Sequence, residues 1–541
     1  MCEMRRVANA NCFTRGNMNV PREVVVVVCV SACMVMCGCS PRFDDVPCAK
    51  NENCLGERPY CLRGVCSLAP EAAQLGDPDG GVCVPNPTPT ACVGNTPRYC
   101  GPDGSWRSGT PCAAGSTCLS GVCACATQRA SCVGSTLVIC KGDGTAATPV
   151  ECPAGCDGTT ARCRKVVPSN GLGTDFYEAT FDWIAAPGVA ISTGDAVTQP
   201  TMTGGGTPLI AMVPQASGPE IAVFKFHSIS IPEGVAVRIT GSRPVALVAS
   251  TTASIAGTID VSSSYDIDGG AGANLGACAP GHSPTDTGGS PSKRWGCGAS
   301  GGSYGTVAGT GGTANNQTCM IASVDNSACT NVALVPLIGG GAGGSSWSDN
   351  PEGPSLLGGS GGGAVQIVAG ASISVSGTIT ASGGGGGFRR WSYWGKMYDQ
   401  LPGNYGGVGG GSGGAILLEA PVVLLSGGLF VNGGGGSGGV LASALALPPA
   451  GQNGGVFTGG EAAAAGSDSN SGLGGVGASG STVAGSGTRA MLDGASGGGG
   501  GGGGAGRIRV NDFSSTLTCQ ATSSFFPKLV GVTTCGNLVT Q

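Results

Sequence analysis

Charged, aromatic and histidine residues are all scarce in this chain of 541 residues. Charged side chains make up 11% and aromatic side chains 5% of the sequence, which argues against a typical cytosolic enzyme. The net charge of −5 gives no electrostatic sign of nucleic-acid binding. The two histidines, His227 and His282, have no recognisable catalytic partner motif, so a Ser-His-Asp mechanism is nearly excluded.

Cysteine, by contrast, is abundant and unevenly distributed. Sixteen of the 28 cysteines lie between Cys48 and Cys163. Zinc sites usually combine Cys-x2-Cys pairs with histidine, whereas the closest pair in this region is Cys123-x-Cys125. Disulfides are therefore the better interpretation, and they indicate an oxidising compartment.

The N-terminus explains how the chain reaches such a compartment. An uncharged run from Val24 to Met36 follows Arg22; its 13 residues are too short to span a membrane and fit a signal peptide. The run ends in Met36-Cys37-Gly38-Cys39-Ser40, which resembles a bacterial lipobox with Cys39 as the lipidated residue. The alternative is an ordinary cleaved signal peptide with Cys39 in a disulfide. The start codon encodes Met1 or Met18.

The cysteine-rich region contains two related units. The spacing Cys-x7-Cys-x11-Cys begins at Cys92 and again at Cys132, with an Asp-Gly turn signal inside each longer loop. Units of about 40 residues bury too little apolar surface to fold without cross-links. Each unit has an odd number of cysteines, so we expect Cys83 and Cys125 to complete the pairing. We interpret the region as a stiff disulfide stalk rather than a ligand-binding or protease-inhibitor module.

Residues 176–541 are rich in glycine and in short β-prone segments. Three stretches align, starting at Ala246, Gln366 and Ile416, and Arg507 begins a fourth. Apolar residues alternate in them with period two, which predicts strands. Repeated short strands with glycine turns are typical of an all-β fold of the parallel β-helix or solenoid type. The alignment makes these positions equivalent: Leu247, Ile367 and Leu417; Gly257, Gly377 and Gly427; Ile259, Ile379 and Leu429.

The glycine blocks between the repeats, such as 383–387 and 497–504, admit three interpretations. They are tight corners of the β-helix or insertions at such corners, left-handed extended polyglycine rods, or flexible loops. We favour a β-helix core with loosely ordered glycine loops. The six cysteines of this region allow 15 connectivities, and sequence neighbours suggest three pairs. These are Cys278 with Cys297, Cys319 with Cys329, and Cys519 with Cys535.

Several of these features together resemble secreted lipoproteins of myxobacterial type. The features are the lipobox, cysteine repeats with a CVG…C…DG…C pattern, and the segments GGGSGGAILLEAP at 409–421 and GGGGAGRIRV at 501–510. The resemblance covers most of the chain and implies an architecture rather than an activity. With Ser40 after the cysteine, it also implies delivery to the outer membrane.

One loop stands out as a candidate binding site. Residues 388–398 concentrate aromatic and basic side chains in a chain otherwise poor in aromatics. Such rings can stack on sugars, and the cations can bind acidic substituents. The alternative is a loop that covers an apolar flank of the β domain. Both tryptophans can face one ligand only if the chain bends between them, for example around Ser392. The candidate ligand-binding residues are Trp391, Trp394, Arg389, Arg390 and Lys396.

A second cluster, Asp260, Asp266 and Asp268, could bind Ca²⁺ or serve in glycoside chemistry, but is better interpreted as a solvated turn. We therefore expect no catalytic residue, no metal and no cofactor.

The leading hypothesis is a structural or adhesive lipoprotein of the outer membrane or cell surface. Its expected partners are the membrane and an extracellular polysaccharide or other surface component, with no nucleic acid. A polysaccharide-active enzyme and a non-catalytic carbohydrate-binding protein are the alternatives.

The expected organisation follows from these patterns. A signal peptide with its lipobox is followed by the disulfide stalk, a linker and the β domain. Within the β domain, the first part is expected to cap the β-helix or to form a small sandwich. The expected boundaries are 1–39 for the signal, 40–163 for the stalk, 164–175 for the linker, 176–541 for the β domain, 176–240 for its first part and 241–541 for its core.

Overall fold

The structure is a computed structural model in which the chain divides into two compact units, Met1–Thr127 and Gln128–Gln541. Regular structure in the described residues is nearly all β. The described residues are 60–62, 65–67, 83, 85–112, 117–124, 130–139, 149–264, 269–274, 296–314, 331–346, 356–387, 392–393, 396–397, 406–440, 450–454, 466, 471–479, 483–490, 497–512, 528–530 and 532–537.

The first unit consists of short antiparallel hairpins. Its central hairpin reverses at Gly94–Asn95, where Gly94 has the positive φ of 57° that a two-residue turn requires. The predicted Asp-Gly turn follows one strand later; the hydroxyl and N–H of Ser105 donate to Asp103 and lower the pKa of its carboxyl group. The strands are β1 (Tyr60–Leu62), β2 (Val65–Ser67), β3 (Asn86–Val93), β4 (Thr96–Cys100), β5 (Trp106–Ser108), β6 (Thr117–Leu119) and β7 (Val122–Ala124).

The second unit begins with a related cysteine repeat. Its hairpin reverses at Gly134–Ser135, the counterpart of Gly94–Asn95, and Gly134 again has a positive φ of 62°. Two short 3-10 helices follow the repeat, at Ser169–Gly171 and Asp175–Glu178. The strands are β8 (Ala130–Val133), β9 (Thr136–Ile139), β10 (Val150–Glu151), β11 (Cys156–Asp157) and β12 (Arg162–Cys163).

The disulfides confirm that the two cysteine units are equivalent. Cys92 pairs with Cys118 in the first unit, as Cys132 pairs with Cys156 in the second. The pairs Cys112–Cys123 and Cys152–Cys163 also correspond. Cys83 completes the first unit by pairing with Cys100, as predicted. Cys125 and Cys140, their counterparts, lie outside the described residues.

Three large sheets form the β domain. Sheet 1 contains β16 (Leu209–Val213), β17 (Ile221–Phe226), β20 (Val245–Ala249), β23 (Ala364–Ala369), β28 (Ala415–Glu419), β31 (Arg507–Asp512) and β33 (Val532–Asn537). Sheet 2 contains β13 (Asp182–Ile184), β18 (Ser228–Ile231), β21 (Thr252–Ile255), β24 (Ser372–Val375) and β29 (Val422–Leu425). Sheet 3 contains β15 (Thr201–Thr203), β14 (Ala190–Ser192), β19 (Ala236–Thr240), β22 (Thr258–Asp260), β25 (Thr378–Thr380), β30 (Gly428–Phe430) and β32 (Lys528–Val530).

All neighbours in these sheets pair in parallel except β16 with β17 and β14 with β15. From β17 to β25, and again from β28 to β30, successive strands pass from sheet 1 to sheet 2 to sheet 3, and the order then repeats. Alternate residues of all three sheets meet in one apolar core, where Trp183 stacks on Phe226 with a centroid distance of 4.9 Å. Residues 176–240 belong to these sheets and form no separate sandwich among the described residues.

The register corrects one predicted equivalence. Leu247 pairs with Ile367 as predicted, but Ile367 pairs with Leu418 rather than Leu417. Ser372 nevertheless pairs with Val422, because the bend after β28 is one residue shorter than the bend after β23. Leu417 therefore points to the outer face of sheet 1, since neighbouring side chains of a strand face opposite sides.

The described parts of the glycine-rich segments are ordered, which corrects the expectation of loose loops. They leave sheet 3 and return to sheet 1 as extended chains cross-linked by backbone hydrogen bonds. Gly407, Gly410 and Gly413 donate to Gly498, Gly501 and Gly504 respectively, so the bonds recur at every third residue. Three residues per turn is the period of polyproline II helices. We call the following segments the glycine bundle: 296–314, 339–346, 356–363, 381–387, 406–414, 431–440, 450–454, 471–479, 483–490 and 497–506.

Segment 497–506 lies at the centre of this bundle and is fully buried. Its N–H groups donate to three neighbouring segments, and its carbonyl groups accept from three others. No direction remains for a side chain, which explains the uninterrupted glycines from 497 to 504. Its six hydrogen-bonded neighbours among the described residues are 296–302, 305–312, 406–414, 431–440, 471–479 and 483–490.

Candidate functional site

Strands β17, β20, β23 and β28 of sheet 1 are buried on both faces, and their outer face receives the segment between the second cysteine repeat and β13. We call residues 164–178 of this segment the strap. Val166, Leu172 and Phe176 are buried against outward-facing side chains of β17, β20, β23 and β28. Ala154 of the cysteine repeat joins the same cluster. The segment 164–175, expected to be a linker, is thus packed on the β domain because its apolar residues bury on this face.

A buried carboxylate fixes one end of the strap. The N–H and hydroxyl of Ser169 donate to the two oxygens of Glu419, at 3.0 and 2.6 Å. Gln366 Nε2 donates to the same carboxylate at 2.6 Å, and Asn511 Nδ2 donates at 2.8 Å. Each oxygen therefore accepts two hydrogen bonds, which stabilises a charge that would be costly if buried without partners.

Further polar contacts extend along the strap. Asn170 donates to Gln366 Oε1 and to the carbonyl oxygen of Leu334, both at 3.1 Å. Near the other end, the buried ammonium group of Lys225 pairs with the more exposed Asp175.

Tyr177 contributes both a polar and an apolar contact. The Val166 N–H donates to its hydroxyl at 2.9 Å, and Lys165 Nζ lies 5.1 Å from its ring centroid. Burial raises the pKa of the Tyr177 phenol above its ordinary value, and the bond from Val166 partly opposes this shift.

A second region of interest is the end of the glycine bundle farthest from the strands. Gly407 donates to Gly498, Gly498 donates to Gly296, and Gly497 donates to Val440. A Cβ added to Gly406 would lie 1.9 Å from the carbonyl oxygen of Cys297. These residues flank sequence segments 275–295, 388–405, 441–449 and 491–496, so one end of the bundle brings together one flank of each of the four segments.

The predicted aromatic site belongs to one of these segments. Arg389, Arg390, Trp391 and Trp394 lie outside the described residues. Lys396 is in β27 (Lys396–Met397), which pairs antiparallel with β26 (Ser392–Tyr393). The chain therefore reverses after Tyr393, two residues from the predicted bend around Ser392.

The other predicted residues have structural partners where they are described. Asp260 in β22 accepts a 2.7 Å bond from Arg238 Nη1 on β19 and a 2.8 Å bond from the N–H of Ser262. His227 lies between β17 and β18 and contacts Ser250 Oγ through Nδ1 at 3.0 Å. No group of three metal-ligating side chains occurs among the described residues. Asp266, Asp268 and His282 are outside them.

The predicted cysteine sites are only partly described. Cys297 is buried and disulfide-bonded. Cys535 lies in β33, and its side chain is not described. Cys39, Cys278, Cys319, Cys329 and Cys519 lie outside the described residues.

The buried polar residues of sheet 1 were not predicted from the sequence. Gln366 and Glu419 occupy outward positions in strands that otherwise read as continuous apolar runs, AVQIVA and AILLE. Asn511 occupies an outward position in the more polar strand RIRVND. Strands buried on both faces have continuous apolar runs, so an isolated Gln or Glu within one indicates a polar partner.

Searches against protein-family models, curated proteins and solved structures found no match to this chain.

Proposed function

We propose that this protein is a surface-anchored adhesive protein whose glycine bundle presents the loop 388–405 to extracellular polysaccharide. The convergence of loop flanks at one end of the bundle carries the proposal. A bundle cross-linked by backbone hydrogen bonds is a stiff support, because lateral displacement of one segment breaks bonds to several neighbours at once. Residues presented at its end can therefore contact a partner without folding of the body around it.

The same proposal assigns the three sheets to a β-solenoid. Each coil would consist of one strand from each sheet, for example β20, β21 and β22, stacked in register on β23, β24 and β25. The glycine segments would then be insertions at one corner of successive coils. The sheet order, the parallel registers and the shared apolar core support this assignment.

Export and anchorage complete the proposal. The five described disulfides between Cys83 and Cys163 indicate an oxidising environment. Within the described parts of the chain, no helix has the length and hydrophobicity needed to cross a bilayer. The lipobox-like Met36-Cys37-Gly38-Cys39 sequence motivates lipid attachment at Cys39 and delivery to the outer membrane.

Replacing Cys39 with alanine should move the protein from the membrane fraction to the soluble fraction, because the acyl chains would be lost. Fractionation and intact mass measure this change. The variant Cys37→Ala is the matched control and should stay in the membrane fraction. Lipid anchorage is excluded if Cys39→Ala stays membrane-bound and the mature protein carries no acyl mass.

Replacing Trp391 and Trp394 with alanine should abolish binding to immobilised polygalacturonate and leave the melting temperature nearly unchanged. The physical reason is that the rings would contact sugar faces while Arg389, Arg390 and Lys396 contact carboxylates. Binding is measured by surface plasmon resonance, with dextran as the uncharged comparison.

Trp106→Ala, in the first unit, is the matched control and should leave polygalacturonate binding unchanged. A large fall in the melting temperature of the double variant would show instead that the rings are buried cover for the β domain. No binding by the unaltered protein to either polysaccharide would contradict the polysaccharide as partner.

A further inference from the structure

We propose that the strap is a mechanical clamp that transfers tension from the N-terminal side of the chain to β23, β28 and β31 of sheet 1. The strap precedes β13 in sequence but does not make its first contacts there. Its Ser169 contacts Glu419 on β28, and its Asn170 contacts Gln366 on β23. Only afterwards does the chain continue to Asp175, beside Lys225 of β17, and then enter β13.

This path matters because β13 is a weak point for applied force. It is an edge strand of sheet 2, with three residues, Asp182–Ile184, paired to β18. Tension delivered directly to its first residue would break these pairs one after another. A short edge strand resists such stepwise loss poorly, because each step breaks a single pairing.

The clamp instead distributes force over bonds that must break together. The N–H and hydroxyl of Ser169 donate to one carboxylate, so displacement of this residue loses both bonds. The adjacent Asn170 is bonded to Gln366 and Leu334 and is displaced with it. Glu419 also accepts from Asn511 on β31, which joins the contact to the next strand of the sheet. Charge-assisted hydrogen bonds of this kind are stronger than neutral ones.

The apolar contacts act in the same direction. Val166 and Leu172 flank Ser169 on both sides and are buried on the outer face of sheet 1. Pulling the strap away exposes these side chains as well as the Glu419 carboxylate. Tension on the chain before residue 164 therefore acts on β28 and β31, and β13 carries load only after the strap has detached.

The test is to stretch the full exported chain between its two termini in an optical trap. The first rupture of the unaltered β domain should release residues 164–181, which adds roughly 60 Å of extended chain. In Glu419→Gln this step should be lost or should occur at a lower force. The amide that replaces the carboxylate offers one oxygen and one NH2, so two of the donors now around Glu419 would face a donor. Later steps should be unchanged.

Two further variants make the result decisive. Ser169→Ala alters only the strap, leaves the sheets intact, and should also lower the force of the first step. The matched control Asp260→Asn weakens the Arg238–Asp260 pair in sheet 3, outside the path of the force, and should leave that step unchanged. Limited trypsin digestion is the second readout. Val166 is buried in the unaltered protein, so cleavage between Lys165 and Val166 should be faster in Ser169→Ala.

The proposal is overturned if the first step has the same force in the unaltered protein, Ser169→Ala and Glu419→Gln. It is also overturned if strands of the sheets detach before the strap. The measurement needs no ligand, so its failure would leave the adhesive function of the loop 388–405 standing.

Discussion

Replacing Gly500 with alanine is expected to disrupt the glycine bundle and to lower the free energy of unfolding by at least about 3 kcal/mol. An alanine Cβ at this position would lie 2.0 Å from the carbonyl oxygen of Val408 and 2.4 Å from its carbonyl carbon. Both atoms are backbone, so no side-chain rotation can relieve the contact. Gly500 is required here for close approach and not for a left-handed φ.

Relief of this contact by movement of the chain would be costly in its own right. Gly500 donates to Ser437 and accepts from Gly475, so a shift away from Val408 strains bonds to two other segments. Each broken bond would leave a buried backbone group without a partner, at about 1–3 kcal/mol. The central position of 497–506 therefore makes the substitution much more harmful than an ordinary Gly-to-Ala change.

Chemical denaturation and amide hydrogen exchange of residues 497–506 measure the effect. Gly158→Ala is the matched control, because a Cβ there has nothing within 4 Å and its φ is outside the left-handed region. We expect the control to change stability by no more than about 0.5 kcal/mol. Equal stability of Gly500→Ala and Gly158→Ala, with unchanged exchange, would show that the glycine segments are not packed as described.

Much of the sheet structure could be predicted from the sequence, since local alternation and internal repetition report directly on strands. Ile259, Ile379 and Leu429 are paired as the alignment predicts. The equivalence of Leu417 was wrong, because a bend shortened by one residue leaves the hydrophobic pattern of each strand intact while shifting its register. The apolar residues of β28 can be buried in either register, so only Glu419, which the predicted register would turn towards the core, distinguishes the two.

The ordered packing of the glycine segments could also be predicted from the sequence. The signal is the position of the non-glycine residues and not the overall glycine content. Outer segments carry an exposed side chain at every third residue, as at Leu473 and Val476 or at Val307 and Thr310. The enclosed segment 497–504 carries none. A three-residue period beside an uninterrupted glycine run therefore indicates outer and central chains of one bundle. Composition alone suggested flexibility, because isolated glycine-rich chains have no partners for their backbone groups.

The strap could not be derived in the same way. Ser169 and Glu419 are 250 residues apart, and Ser169 lies outside the repeated stretches that contain Glu419. Their contact depends on the stacking order of sheet 1, which places β28 beside β23 on the face that the strap covers. An isolated Glu in an apolar strand indicates that a polar partner exists, but which residue is the partner depends on the assembled fold.

Reduction of the disulfides should make residues 83–163 protease-sensitive while the three sheets and the glycine bundle stay resistant. Each cysteine repeat has too small a core to remain folded without its cross-links, and a disulfide typically contributes about 2–4 kcal/mol. The apolar core shared by the three sheets contains no cysteine among its described residues. Limited proteolysis with and without a phosphine reductant, read by mass spectrometry, measures the difference, and a non-reduced alkylated sample is the control.

The N-terminal end of the resistant fragment is the informative result. Because Val166, Leu172 and Phe176 are buried on sheet 1, reduction should not free the strap, and the fragment should begin at or before Val166. A fragment that begins beyond Phe176 would mean that 164–175 is a free linker, as the sequence suggested. Simultaneous loss of the repeats and the sheets would contradict a body that is stable without disulfides. A resistant strap would instead show that the second repeat leads into a segment fixed on the β domain by apolar burial and the Glu419 carboxylate, neither of which a reductant affects.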